Sequence, residues 1–383
     1  MPKMPSERKE EQYLKERDEF FKALPKLNRR QFIKVAMASA AVALAKNQFP
    51  PHSFQLVEAV EAKQGGGTEV KFRFAYISDT HLYERKLNER FVRAALKAVQ
   101  DVNALDPQPD FVLFGGDLAQ LGQPEELKLG KEILSELKPK LYMMVGEHDW
   151  YLDLGEKWIE LFGKPYYSFD HKGVHFIVLN SVLVDDYWTE SKMTPMERMK
   201  FMAQLDNPKG RPFTVGRGYG DVGKKQFEWL KQDLAKVSKD TPIVVFSHSP
   251  LYKYYKPWNF WTDDAEEVQA LLRPFKNVTV IHGHTHQPVF NRIGNINFYG
   301  MLSTAWPWPY APTGLPKLTI KMNRADPFDQ FDGTGDGTVE VLANGKANKI
   351  YNLWSREPMK VTARYLESGG KEEVPPVPVD PSF

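Results

Sequence analysis

Apolar positions come in short dense blocks, and the period of the blocks changes along the chain. Residues 71–78 (Lys-Phe-Arg-Phe-Ala-Tyr-Ile-Ser) alternate and then become continuously apolar, which predicts a strand ending at Asp79. Residues 89–105 carry Phe91, Ala95, Leu96, Val99 and Val102 at helical spacing. A buried strand is expected at 111–114, followed by a helix from Pro124 to Leu137, since proline suits the first helical turn. Strands at 141–145, 176–180, 243–246 and 278–281 then alternate with helices at 224–237 and 265–272. Further strands are expected at 295–299, 337–342 and 359–365. This alternation predicts an α/β domain with parallel strand pairs. Residues 181–222 have mixed charge, several aromatics and no clear period, and read as an inserted loop or cap. There is no internal repeat.

Ahead of the first strand, Arg-Arg-Gln-Phe-Ile-Lys at 29–34 leads directly into an apolar run, Val35 to Ala45. That run is too short for a bilayer, which takes about 20 helical residues. A basic pair before a short Ala-rich run is the layout of a signal peptide. Arg29-Arg30, with Phe32 and Lys34 behind it, closely resembles a twin-arginine signal. The plainer reading is an amphipathic helix that happens to contain the pair. Small-x-small cleavage patterns occur at Ala43-Leu44-Ala45 and at Val60-Glu61-Ala62. The expected organisation is a lead-in and signal peptide over 1–62 and a linker over 63–69 containing Gly65 to Gly67. The folded domain follows over 70–366, and a Pro- and charge-rich tail over 367–383. A twin-arginine signal implies passage through that export machinery in the folded state, with any cofactor already loaded. The destination would be periplasmic or otherwise extracytoplasmic, or the membrane itself if the signal stays uncleaved.

Composition narrows the chemistry. Hydrophobic residues make up 42% and charged residues 26%, ordinary values for a globular protein. Without residues 1–62 the chain carries 40 basic and 41 acidic residues, so bulk charge does not suggest a nucleic-acid-binding face. There are no cysteines. Disulfides and thiolate metal sites are excluded, and any metal must be held by His, Asp, Glu, Asn or backbone oxygen.

Five predicted strands end in residues of that kind. They are Asp79-x-His81, Gly116-Asp117, Gly146-Glu147-His148, His248 and Gly283-His284-x-His286. Functional groups in α/β sheets gather at the carboxyl ends of strands, so these side chains are expected to converge. Five of the nine histidines lie in these blocks. Alone, Asp79-x-His81, Gly116-Asp117 and His248 each read more readily as a turn or a hydrogen-bonded histidine. Gly283-His284-x-His286 is more telling because both its histidines can reach one metal, and the ordered set points to a metal site.

The series resembles the calcineurin-like metallophosphoesterase family over about residues 72 to 306. The resemblance implies a four-layer αββα sandwich with two mixed β-sheets and a site for two transition metal ions, of Fe, Mn or Zn type, divalent or mixed-valence. It implies that Asp79, His81 and His286 hold the first metal and that Asp117 bridges to the second. Glu147, His248 and His284 would complete the second, while His148 would contact the phosphate and protonate the departing alkoxide. The implied reaction is hydrolysis of a phosphomonoester or phosphodiester by in-line attack of metal-bound hydroxide. The residue types suit that chemistry: a hard carboxylate bridges, neutral imidazoles bind without cancelling the cationic charge, and a free histidine serves as general acid.

Two positions depart from the family pattern. Glu147 stands where the family usually has asparagine. It could ligate the second metal and alter its preference, turn away and weaken that site, or mark a chain that has lost turnover. The last reading corresponds to a non-catalytic metal-binding or accessory subunit. Gln120 occupies the position where purple acid phosphatases have tyrosine, so a metal-bound tyrosinate is not implied.

Weaker signals remain. Six aromatics fall within Tyr252 to Trp261, and Trp306-Pro307-Trp308-Pro309-Tyr310 adds more. They read either as an aromatic wall over the substrate, such as a nucleoside base, or as packed loops and a protein-partner contact. Asp332-Gly-Thr-Gly-Asp336 lacks EF-hand spacing and reads as a tight acidic turn. His282 reads as structural, and His52, His171 and His175 carry no supporting neighbours.

Overall fold

The computed structural model describes residues 67–83, 88–150, 152–183, 222–255 and 260–372. Residues 29–45, read as a twin-arginine signal, most of the expected linker, most of the expected insertion at 181–222 and the chain from 373 lie outside them. Among the described residues no helix is long and apolar enough to cross a membrane.

Twelve strands form two six-stranded sheets. The first has the order β12-β11-β10-β1-β2-β3. Its members are β1 (Val70–Ile77), β2 (Phe111–Gly115), β3 (Lys140–Met144), β10 (Gly335–Leu342), β11 (Ala347–Leu353) and β12 (Met359–Val361). The second has the order β4-β5-β6-β7-β9-β8. It contains β4 (Tyr167–His171), β5 (Val174–Leu179), β6 (Ile243–Ser247), β7 (Val278–His282), β8 (Phe290–Ile293) and β9 (Ile296–Gly300). The pairs β1–β2, β2–β3, β5–β6, β6–β7 and β7–β9 are parallel, and the outer pairs are antiparallel. Both sheets are mixed, as expected.

The two faces of each central strand explain its unbroken apolar sequence. In β5, Phe176 and Val178 enter one core cluster, whereas Ile177 and Leu179 enter another. β6 divides the same way, with Val244 and Phe246 against Ile243 and Val245. The first cluster joins the two sheets. In it Phe74 stacks on Phe111 at 4.8 Å and meets Phe176 and Phe246 edge-on at 5.8 and 5.7 Å. The second cluster packs the outer face of the second sheet against α5 (Lys224–Leu234) and α6 (Ala265–Leu272). A strand covered on both sides has no polar alternation left to show.

Helix α1 (Glu89–Ala104) buries Val92, Ala95, Val99 and Val102 along one stripe. α2 (Pro124–Leu134) starts at proline, and the Glu126 carboxylate accepts from the Leu121 and Gln123 amides at 2.9 and 3.1 Å. α2 and α5 stop three residues before the expected Leu137 and Val237. In both, the last turn tightens to i→i−3 bonds, Leu137 to Leu134 and Val237 to Leu234. Two short helices, α3 (Glu147–Trp150) and α4 (Glu156–Phe162), follow β3, and α7 (Ala363–Glu367) closes the described fold. The strand expected over 359–365 is thus a three-residue strand and then a helix. Thr362 caps that helix by accepting from the Tyr365 amide.

Candidate metal centre

β1, β2 and β3 of the first sheet and β6 and β7 of the second all point their carboxyl ends at one region. The loop after β1 runs beside the loop after β2. Asp79 N–H donates to Gly116 O at 2.9 Å, His81 N–H to Asp117 O at 3.0 Å and Leu82 N–H to Leu118 O at 2.9 Å. This carries Asp79 and His81 past Asp117. The loop after β7 reaches back to the first sheet, where the His284 amide donates to Asp79 Oδ1 at 3.1 Å.

The structure brings all eight predicted residues together. Asp79, His81 and His286 form one buried group that could hold a metal ion, and Asp117, Glu147, His248 and His284 form another. In the first, the Nε2 atoms of His81 and His286 are 3.0 Å apart, and His286 Nε2 is 3.2 Å from Asp79 Oδ1. In the second, Glu147 Oε2 is 3.0 Å from His248 Nε2, and Glu147 Oε1 is 2.6 Å from His284 Nδ1. Asp117 lies between the groups, its Oδ2 being 3.2 Å from His248 Nε2 and 3.7 Å from His81 Nε2. Glu147 is therefore turned into its group rather than away from it.

The site fits a pair of cations on its own geometry. Three carboxylates and four imidazoles share a small buried volume. Among the described residues His81 Nδ1 is buried without a hydrogen-bond partner, and His248 Nε2 and Glu147 Oε2, though 3.0 Å apart, are not aligned as a hydrogen bond. Such atoms are costly unless something coordinates them. Carbonyl groups fix the ring orientation: Gly115 O is 2.7 Å from His248 Nδ1, and Trp306 O is 2.8 Å from His286 Nδ1. With Nδ1–H donating, each ring presents its Nε2 lone pair, as metal-ligating histidines do. The oxygen and imidazole donors suit Zn, Fe or Mn.

Electrostatics follow from burial and crowding. Burial, reinforced by His148 and His286, pushes the His81 imidazole well below its ordinary range. Burial opposes the His248 imidazolium too, but Asp117 and Glu147 outweigh it and push that ring well above its ordinary range. Burial also works against the Glu147 carboxylate, and the neighbouring His284 and His248 reverse this and hold it well below.

Backbone conformation is part of the construction. Asp79, His81, Asp117, His284 and His286 have φ between 46° and 61°. That left-handed region costs a residue with a side chain about 1–3 kcal/mol and persists only when surroundings impose it. Gly146 supplies room, since a Cβ there would collide with the Asp117 carboxylate.

His148 lies at the lip and is half-buried. Its backbone N–H donates to Asp117 Oδ1 at 3.0 Å, and its Nδ1 is 2.6 Å from Gln120 O. The Nε2 atom is left facing other partners. Sequence reasoning overlooked Asp149, which accepts from the Ala119 amide at 2.9 Å and the Gly146 amide at 3.1 Å, so tying two ligand loops together. Burial and the Asp117 charge push it up to about 7. Its only signal was adjacency to Glu147-His148. Also overlooked was Ser303, whose hydroxyl donates to Asp79 O at 2.9 Å.

The other described histidines stay outside the two groups, and His52 lies outside the described residues. His282 is fully buried, 3.4 Å from the Tyr252 hydroxyl, and burial pushes it down to about 4. His171 bonds Asp110 at 2.6 Å, and His175 lies between Asp170 and Asp233 at 2.8 and 2.9 Å. Asp332 is a turn residue that accepts from Arg356 at 2.7 Å. The aromatic runs divide: Tyr252, Tyr254 and Trp261 are core, whereas Phe260, Trp306 and Trp308 flank the ligand histidines.

Similarity to known proteins agrees with this layout. A "probable glycerophosphodiester phosphodiesterase" of Arcobacter nitrofigilis is 26% identical over 181 residues, covering 46% of this chain and 56% of the relative. The chain thus spans little more than half of that relative. A 3′,5′-cyclic-nucleotide phosphodiesterase of a Nostoc species is 23% identical over 243 residues, covering 61% of this chain and 78% of the relative. A solved dimetal phosphatase of Danio rerio superimposes with a TM-score of 0.51 at 14% identity, covering 77% of this chain and all of that one, which shows a shared fold. The family model for calcineurin-like phosphoesterases matches residues 72–288. That segment holds every residue of both metal groups together with His148, and the chain belongs to the calcineurin-like phosphoesterase family.

Proposed function

We propose that the chain is an exported metal-dependent phosphoesterase acting on phosphodiesters. The observation that carries the reading is the pair of buried ligand groups joined at Asp117. Two transition metal ions held there would neutralise phosphoryl charge and acidify water at neutral pH. Asp79, His81 and His286 would hold one ion and Glu147, His248 and His284 the other, with Asp117 between the two groups. Burial opposes the His148 imidazolium, but the Asp117 and Glu147 charges outweigh it and raise its pKa. With Nδ1–H held by the Gln120 carbonyl, the ring can therefore carry a second proton on Nε2 for the departing alkoxide. Trp306 O and Gly115 O keep two ligand rings in the binding tautomer. The names of the Arcobacter and Nostoc relatives favour diesters over monoesters. Export rests on Arg29-Arg30 and the apolar run behind it.

A non-catalytic accessory role is the second reading, and Glu147 is what favours it. Its carboxylate faces both His248 and His284, which supports a ligand role over a degenerate site. The test is turnover of bis(p-nitrophenyl) phosphate and p-nitrophenyl phosphate by protein loaded with Mn²⁺, Fe²⁺ or Zn²⁺. Diester hydrolysis that falls at least about 100-fold in His148→Ala is expected. No turnover with any metal or substrate would establish the accessory role instead. Export is tested by Arg29→Lys with Arg30→Lys, which should retain the protein in the cytoplasm; continued export of that variant refutes the twin-arginine assignment.

A further inference from the structure

An aromatic arc borders the metal centre on the side of the loop after β9. Trp306 lies 4.4 Å from His81 and 5.0 Å from His286, measured between ring centroids. Trp308 lies 6.2 Å from His286 and 6.1 Å from Phe260, and Phe260 lies 4.6 Å from His284. The arc therefore borders both ligand groups. Core packing accounts in part for Phe260, which lies against the second core cluster, but not for Trp308. Trp308 is 40% exposed, whereas Tyr252, Tyr254 and Trp261 of the other aromatic run are buried.

The loop that carries the two tryptophans is held at several points. Arg90 donates to Ala305 O at 2.6 Å, the Ser303 hydroxyl accepts from the Ala305 amide at 2.9 Å, and Gln287 donates to Pro309 O at 3.2 Å. Trp306 O binds the His286 ring at 2.8 Å. Pro307 and Pro309 fix the backbone on either side of Trp308. An indole held partly in solvent beside a phosphate-binding centre is a preorganised stacking surface.

We infer that this arc is a specificity subsite for the nucleobase of a nucleoside phosphodiester. The inference rests on the phosphodiesterase reading of the metal centre and adds the class of organic group it accepts. A base has a flat π-face to set against indole and phenyl rings. A glycerol ester offers hydroxyl groups, and the three rings of the arc supply no carboxylate or amide to pair with them.

Equilibrium binding tests the subsite without requiring turnover. Mn²⁺-loaded protein is titrated by calorimetry with adenosine 5′-monophosphate and with glycerol 3-phosphate, two phosphates that differ in the group attached. The wild-type chain is expected to bind the adenosine ester at least about 10-fold more tightly. Trp308→Ala should weaken it by about 5- to 100-fold, the range for loss of one base stack, and leave glycerol 3-phosphate unchanged. Trp308→Phe should keep most of the preference. Equal affinity for the two esters, no binding of either, or an equal loss on both in Trp308→Ala overturns the proposal. A base preference in a protein that hydrolyses no ester would refute the phosphodiesterase reading and leave the subsite standing.

Discussion

Lys349 stands on the inward face of β11, in register with Ala347, Tyr351 and Leu353 of the inter-sheet core. Its ammonium lies 3.3 Å from the Tyr299 ring centroid and has one long bond, 3.4 Å, to Ala347 O. Burial pushes it well below the ordinary lysine range. A lowered folded pKa means that the unfolded chain takes up the proton first. Stability is therefore fully present above about pH 10.4 and is lost as pH falls toward the folded value. Lys349→Met should stabilise by about 1–3 kcal/mol near pH 7, with a smaller gain at pH 10, as read by thermal unfolding; a gain independent of pH contradicts a neutral buried lysine. Glu147 is the residue that decides the second metal. Glu147→Asn removes a carboxylate 3.0 Å from His248 and 2.6 Å from His284. The variant should shift the order of metal affinities by about 10-fold or more, measured by competitive loading with Mn²⁺ and Zn²⁺; an unaltered order would show that Glu147 is no ligand.

At the scale of elements, buried parallel strands were legible, whereas two of the four edge strands, β4 and β8, were not. β2, β6 and β7 are buried along their whole length and mostly apolar because both faces are covered. β4 and β8 escaped notice because each pairs on one side only and carries polar residues such as Asp170 and Arg292. β11 escaped because Lys349 breaks the apolar alternation at a core position. The turns after β1, β2, β3, β6 and β7 were legible as glycine and metal-competent blocks, but their left-handed backbone was not. Five candidate ligands adopt it, and only neighbouring loops hold them there. Gly146→Ala tests how tightly these turns are fitted. The added methyl would meet the Asp117 carboxylate, and a displacement of about 1 Å commonly costs about 100-fold in rate. Diesterase kcat should fall by that order while circular dichroism is unchanged; full activity would show that the Asp117 position is not constrained.

At the scale of the whole molecule, the site residues belong to both sheets. Asp79, His81, Asp117, Glu147 and His148 come from the first, and His248, His284 and His286 from the second. A bound metal pair would tie the sheets together at one edge as well as across their shared core. A ligand at a hundred times its Kd stabilises the native state by about 2.7 kcal/mol. Chelation should accordingly lower Tm by about 5 °C or more, with recovery on adding Mn²⁺. An identical Tm with and without chelator would mean that the two groups do not hold metal in the native protein.

By itself the sequence determined the α/β class, the central strands and the eight residues that meet at the site. Period and residue type are local properties, and ligand blocks recur at the ends of apolar runs whatever the folding path. Only the tertiary structure decided which sheet each block serves, that Asp117 lies between two groups and that Glu147 turns inward. It also separated Phe260, beside the ligands, from the core aromatics Tyr252 and Trp261 of the same run. These outcomes depend on strand order and on hydrogen bonds between residues as much as 224 positions apart, and local pattern carries no record of them.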